Sequence, residues 1–446
     1  MQASASARCA LALVVLMLMS SMLGLTPTAQ VAQPSDAVLN SEVQPAGGRA
    51  LTVWSGTVMV NGDYTVASGD ELRIVAGADI QMGPGVRIYV DGKLTAHGTA
   101  AAPVTVSVQQ AFIWHDGFQF NATSRGRGSH LQNMTISDAQ YGITIYDSNP
   151  VIDDLYLDNP DYVGIDMFDS ASPVIRRLTV QGGGQDVHGA ETHWRYGIGM
   201  SVGAGSAPFV QGANFDNLVT RAVSYWRGSG GVMRDLNISN ISGATLNISA
   251  GIYVDDSLPL FEDVSITRSD HGVYIMHTMD NMTTRPVFRR ITIEDSQFRG
   301  VKIEKEDHWN FTTYMMARFH DLEVSGTGGP GARTPGLATA AIELNTSGGW
   351  FENVNIHDNP VNGIKLYMTD PSTTFVNTTI TSSGASMGGT HNMAGFYSRS
   401  SNNGGPTLQN LAVSDSPGSG IFITKGSISG SDWYSHDNDA EGVYIR

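Results

Sequence analysis

The sequence predicts an all-β fold, a right-handed parallel β-helix, on three observations. Short β-branched segments closed by Gly or Asn-Gly follow one another from Leu51: LTVWSGTVMV, DYTVASG, ELRIVAG, VRIYVDGKLTAHGT and PVTVSV. A two-strand unit then recurs to the C-terminus. Its clearest copy is Pro286–Lys305, with Phe288, Ile291 and Ile293 on a buried face, the acidic turn Glu294-Asp295-Ser296, and the alternating strand Gly300-Val301-Lys302-Ile303. Finally, 51 glycines in 446 residues leave no amphipathic helical window.

Glycine or alanine opens the second strand of each unit, at Gly142, Gly164, Gly197, Ala222, Gly251, Gly272, Gly300, Ala341, Gly363, Gly395, Gly420 and Gly442. The shortest intervals are 21 residues, from Gly251 to Gly272, and 22, from Gly142 to Gly164. Coils of that length, each strand stacked on its copy ~4.8 Å away, form a single solenoid. Crossovers between parallel strands are right-handed almost without exception, which sets the hand. The organisation expected is a signal peptide at 1–32, a polar linker at 33–50, N-terminal capping coils at 51–127, and β-helix repeats at 128–446.

Arg8 followed by the apolar run Ala10 to Leu25 reads as a secretory signal, so the protein is expected outside the cell or on its surface. Cys9, the single cysteine, lies ahead of that run and leaves with it, so the mature chain has no disulfide. No other segment has the length and apolarity of a membrane span. A net charge of −16 with only 15% charged residues argues against nucleic acid and anionic membranes, which need basic patches. Sequons such as Asn121, Asn237 and Asn377 are candidate glycosylation sites. The chain stops in the middle of a coil, at Gly442-Val443-Tyr444-Ile445-Arg446, so a further domain or subunit is expected to cap that end.

The alternation of x-G-I-x-I-x-x-S-x-P with V-I-x-x-L-x-V, and the run Asp63 to Ser107, resemble the parallel β-helix repeats of the pectate-lyase-like superfamily over roughly residues 51–446. That resemblance implies the fold. It is nearly silent on function, because the superfamily hosts lyases, hydrolases, epimerases, adhesins and tailspikes. Asp270-His271-Gly272 and Arg299 through Lys305 further resemble, in order, two polygalacturonase motifs. The first Gly is missing, Arg and Lys are spaced differently, and Asp255-Asp256 lies too close to His271, so that activity is not carried over.

Alternation assigns faces. Inward pairs are Ile143/Ile145, Ile165/Met167, Ile198/Met200, Ile252/Val254, Val301/Ile303, Ile364/Leu366 and Ile421/Ile423. Asp138, Asn159, Asn240, Asp295, Asp358, Asp415 and Asp437 form a column just past the first strands, read as a ladder of Asx turns. No cofactor is required. The alternative is calcium, for which only Asp415 and Asp437 lie on neighbouring rungs.

Insertions after the first strand (182–195, 242–249, 325–339, 382–392) and after the second (277–285, 304–313) predict two loop walls flanking the second-strand sheet. His188, His193 and His391 fall on the first wall without metal-ligand spacing. The groove floor is expected to carry Trp226, Tyr253, Tyr274, Tyr367 and Tyr397, either exposed for stacking on sugar rings or stacked in register on one another, as Tyr253 on Tyr274, with Lys365 beside them. Lys302, Glu343 and Lys365 alternate in charge on adjacent rungs, as in a self-satisfied ladder. Read chemically, Lys302 is a base or charge stabiliser. Glu304 and Glu343, ~8 Å apart diagonally, fall in the spacing of an inverting glycosidase pair. The function expected is binding of extracellular glycan along this groove. The alternatives are a polysaccharide lyase or glycoside hydrolase using Lys302, Glu304 and Glu343, and a structural or adhesive stalk without catalysis.

Overall fold

The computed structural model describes residues 49–110, 113–184, 196–243, 249–277, 285–305, 316–329, 339–384, 393–399 and 405–446. The signal segment, Cys9, most of the linker, most of each insertion, and His188, His193 and His391 lie outside the described residues. Those described belong to one compact unit, residues 39–446. Among them there is one 3-10 turn, Ala122–Ser124, and no α-helix. All else is strand and turn, arranged as two parallel sheets of 18 and 15 strands, here sheet A and sheet B.

In the first three coils the sheet A strand comes as two short pieces, for example Leu51–Trp54 with Thr57–Val60. The two lines merge at His130–Ser137, which pairs with both Lys93–His97 and Val104–Val108. Each later coil gives one strand to each sheet, and the chain is a parallel β-helix.

A backbone device shapes every merged sheet A strand. Asn133, Asp154, Arg177, Asp235, Asp263, Arg290, Asp321, Asn353, Asn377, Asn410 and Asp432 occupy one register position, with Gly212 completing the column. Each has a positive φ, a conformation that Asn and Asp reach most easily among residues with a side chain. The resulting bend breaks simple alternation, so that Phe288, Ile291 and Ile293 all point inward. Side chains ladder across the bends: Asn353 Nδ2 donates to Asp321 at 2.9 Å, Asn377 to Asn353 at 3.1 Å, and Asn410 to Asn377 at 3.1 Å. The expected Asx column behaves alike: Asp138, Asn159, Asn240, Asp295, Asp358, Asp415 and Asp437 all have positive φ.

The core fills with residues stacked on their own copies. Phe261, Phe288, Phe319, Phe351 and Phe375 lie nearly parallel, with centroids 5.2, 4.5, 5.1 and 4.6 Å apart in turn, and all are buried. The glycine column meets this core. A Cβ on Gly300 would stand 2.3 Å from a Val324 methyl and 2.8 Å from the Ala341 carbonyl oxygen, so the sheets close only over hydrogen there.

One coil is shifted from expectation. Val163 pairs with Ile198 and Ile165 with Met200, so Gly199, not Gly197, shares the register position of Gly164. The inward pair is therefore Met200 and Val202, and Ser201 takes the outward place beside Asp166. The run Gly-Ile-Gly-Met matches the repeat in two frames, and Gly197, at φ +63°, belongs to the turn ahead of Ile198–Val202.

Candidate functional site

The outer face of sheet B brings the candidate residues together on successive rungs: Arg221–Trp226, Ala250–Asp255, His271–His277, Arg299–Lys305, Ala340–Asn345 and Asn362–Tyr367. Register places Ser224, Tyr253, Tyr274, Lys302, Glu343, Lys365 and Tyr397 in one column. Trp226, Asp255, Met276, Glu304, Asn345, Tyr367 and Arg399 form a second. Both follow the sequence reading. A third column, which that reading passed over, opens the strands and holds Arg221, His271 and Arg299.

The expectation of exposed rings is corrected at three positions. Tyr253, Tyr274 and Tyr397 face outward from the sheet yet are only 4%, 2% and 8% exposed, whereas Trp226 and Tyr367 are half-buried. Strand alternation fixes direction, but burial depends on neighbouring side chains that lie far away in sequence. Trp226 and Tyr253 pack at 5.2 Å, Tyr253 and Tyr274 edge-on at 5.4 Å, and Met276 closes the cluster.

Arg221 lies within this cluster. Its guanidinium carbon sits 3.7 Å from the Tyr253 ring centroid and 4.9 Å from that of Trp226. It donates to Ser224 Oγ at 3.4 Å, its Nε has no hydrogen-bond partner among the described residues, and it is 2% exposed. Among the described residues no carboxylate lies within ion-pair distance of it. Burial pulls the guanidinium down to about 10, against the opposing pull of Tyr253, Tyr274 and Asp255, so it is charged at neutral pH.

Three other cations of this face, Lys302, Arg299 and Lys365, have carboxylates. Lys302 Nζ is 2.7 Å from Glu304 Oε1, 3.3 Å from the Tyr274 hydroxyl and 4.4 Å from the Tyr274 ring centroid. The Tyr274 hydroxyl also donates to Glu304, and burial, then Glu304 itself, push that phenol strongly upward. Glu343 takes Arg299 at 3.3 Å and Lys365 at 4.0 Å, and accepts from Thr339. Burial opposes its ionisation, but Arg299, Lys365 and Thr339 together hold the carboxyl below its usual range. Two expectations change accordingly. Lys302 answers Glu304 on its own strand rather than Glu343 on the next rung. Glu343, held ionised, fits a base or an electrostatic partner rather than the protonated member of an inverting pair.

Two further groupings lie on or beside this sheet. His277 Nδ1 hydrogen-bonds Asp256, both are buried, and His277 Nε2 has no partner among the described residues. Nearer the N-terminus, half-buried rings line the same sheet. Tyr141 stacks on Tyr162 at 5.4 Å, Tyr162 meets Tyr196 at 4.5 Å, and Tyr146 stacks on Phe168 at 4.9 Å. The repeated aromatic residue at equivalent places was the available signal. His271, one of the motif residues, is fully buried, its ring 5.3 Å from Tyr274 and 5.6 Å from Phe298.

No group of three or more His, Cys, Asp or Glu among the described residues is placed to hold a metal ion. Asp437 accepts from His436 Nδ1 at 2.9 Å, and Asp415 occupies the same turn position one coil earlier.

Residues 116–288 match the family model described as the right-handed beta helix region. This chain is a right-handed parallel β-helix. The resemblance to pectate-lyase-like repeats thus holds at the level of fold. Solved structures with a similar course include an alginate lyase from Paenibacillus sp. str. FPU-7, at 13% identity and TM-score 0.42, covering 59% of this chain and 95% of that one. The periplasmic alginate epimerase AlgG aligns at 13% and 0.38 over 72% of this chain and 78% of its own. The catalytic domain of a GH87 α-1,3-glucanase in complex with nigerose aligns at 14% and 0.48, over 81% and 64%. No curated protein matches the chain. No helix among the described residues is long and apolar enough to cross a membrane.

Proposed function

We propose that this β-helix is an exported protein that engages an acidic extracellular polysaccharide along the outer face of sheet B, between the rungs of Arg221 and Lys365. Arg221 carries the reading. A buried cation costs several kcal/mol unless an anion answers it, and the other two cations at the centre of this face, Arg299 and Lys302, have their carboxylates within the fold. A planar guanidinium held against two rings keeps its remaining donors in one plane, the geometry that a carboxylate takes up bidentately, here on a side chain only 2% exposed. The site thus supplies locally the positive charge that the net −16 withholds globally.

A second reading, turnover of the bound chain, is favoured by one observation. Lys302, Glu304 and Tyr274 converge within hydrogen-bond reach, placing a cation, a carboxylate and a phenol at one point on the floor. The test for both is incubation with alginate, polygalacturonate, a sulfated polysaccharide and α-1,3-glucan. Retention is read by affinity electrophoresis, and turnover by reducing ends and unsaturated-sugar absorbance. Retention of the carboxylated polymers alone is the expected result. Equal retention of neutral glucan removes Arg221 as the determinant, and retention of none removes the reading.

A further inference from the structure

The charged cluster and the half-buried rings lie on one face of one sheet. Two rungs separate the strand Val163–Phe168 from Arg221–Trp226, roughly 10 Å at ~4.8 Å per rung, and five separate it from Arg299–Lys305, roughly 24 Å. The rings stand in two lines. Tyr141, Tyr162 and Tyr196 run along the strand starts, and Tyr146 and Phe168 along the strand ends. Between them the floor is short and polar, Thr144, Asp166 and Ser201. The stack continues rung on rung, and all five rings keep part of their surface open, in contrast to the buried Tyr253 and Tyr274.

We infer that Tyr141, Tyr162 and Tyr196 with Tyr146 and Phe168 form a second glycan platform, built of rings, that holds the segment of the polysaccharide beyond the one whose acidic groups lie between Arg221 and Lys302. This rests on the proposed reading of the charged cluster and extends it to chain length. Sugar rings offer C–H faces to aromatic planes and hydroxyls at their edges. The Tyr162 and Tyr196 hydroxyls, 3.2 Å apart, supply donors and acceptors at the ring edge. Arg87 lies 5.8 Å from the Tyr141 centroid, but Asp116 at 2.9 Å and Gln119 at 2.7 Å already engage it, so the platform selects by stacking rather than by charge. The occupant is the same chain because both patches lie on successive strands of one sheet. Linking two weak contacts through one polymer multiplies affinity without new chemistry.

The consequence is that polymer binds more tightly than a short oligomer, and that the excess resides in these rings. The experiment compares alginate and polygalacturonate polymers with their trisaccharides on wild type, Phe168→Leu with Tyr146→Leu, and Tyr162→Leu. Leucine keeps apolar packing while removing the ring plane, and melting curves confirm that each variant is folded. The expected result is polymer affinity about tenfold weaker in the ring variants, with trisaccharide affinity unchanged. A Lys302→Met variant, by contrast, weakens both. Ring variants that bind polymer like wild type, or that lose polymer and trisaccharide equally, overturn the platform while leaving the charged cluster standing. Wild type that retains neither polymer overturns both.

Discussion

Lys302 directs its ammonium to Glu304, two residues along its own strand and 2.7 Å away, rather than to Glu343, which faces it on the next rung. The choice divides the face into two closed sets: Lys302, Glu304 and Tyr274 in one, Glu343, Arg299, Lys365 and Thr339 in the other. Replacing Lys302 with Met strands Glu304 and the Tyr274 hydroxyl without opening a core cavity. Acidic polysaccharide retention is expected to weaken about tenfold, the worth of one charge-assisted contact. If the chain turns substrate over, the rate should fall at least ~100-fold, as for loss of a proton-transfer group. Affinity electrophoresis and product absorbance on one preparation separate these outcomes.

Glu343 makes stability depend on pH in a definite direction. Its folded carboxyl is held below the unfolded range, near 4.3, so its contribution is complete above that pH. It is lost as pH falls through the lower folded value, where the proton breaks the pairing with Arg299 and Lys365. Glu343→Gln should therefore cost about 1–3 kcal/mol at pH 7. The gap to wild type should close as pH falls from about 4.3 through the folded value. Urea titrations at pH 7, 5 and 3.5 check it. A gap that widens on acidification contradicts the assignment.

The phenylalanine stack is the structural counterpart. Phe319 has ring neighbours at 4.5 and 5.1 Å and no exposure. Phe319→Ala should lose about 3–5 kcal/mol by combining lost transfer energy with a cavity. Phe319→Leu should lose less, because the column collapses on a smaller apolar residue. Denaturant midpoints give both values.

The coil period, the strand faces and the Asx column were legible because each is local: alternation, a turn residue, and a repeat close to the 21–22 residues between successive glycines. The Gly197 coil misled because Gly-Ile-Gly-Met satisfies the repeat in two frames, and only pairing with Val163–Phe168 selects one. The sheet A bend was half legible: the spacing of Phe288, Ile291 and Ile293 departs from strict alternation, but nothing local says that Arg290 turns left-handed. Burial at Tyr253 and Tyr274 was illegible, since it depends on how Arg221, Trp226 and Met276 pack over the two rings. The Asp256–His277 contact was missed for the same reason: its members are 21 residues apart, and no motif joins them.

Arg221 offers a test in which stability and function should move in opposite directions. Its charge is buried with no carboxylate in ion-pair contact among the described residues, only Asp255 acting at longer range, a cost that the Tyr253 and Trp226 faces return only in part, at ~1–2 kcal/mol. Arg221→Met keeps the length and apolar contact of the side chain and removes the charge. The variant is expected to be more stable than wild type by about 1–2 kcal/mol and to lose acidic polysaccharide retention. Arg221→Lys keeps the charge but not the planar fork, and should weaken retention without the gain in stability. Melting temperature and retention measured on the three proteins decide the matter. If Arg221→Met instead melts lower than wild type and still holds the polymer, the guanidinium is a structural plug between two rings. The site then has to be sought around Lys302 alone.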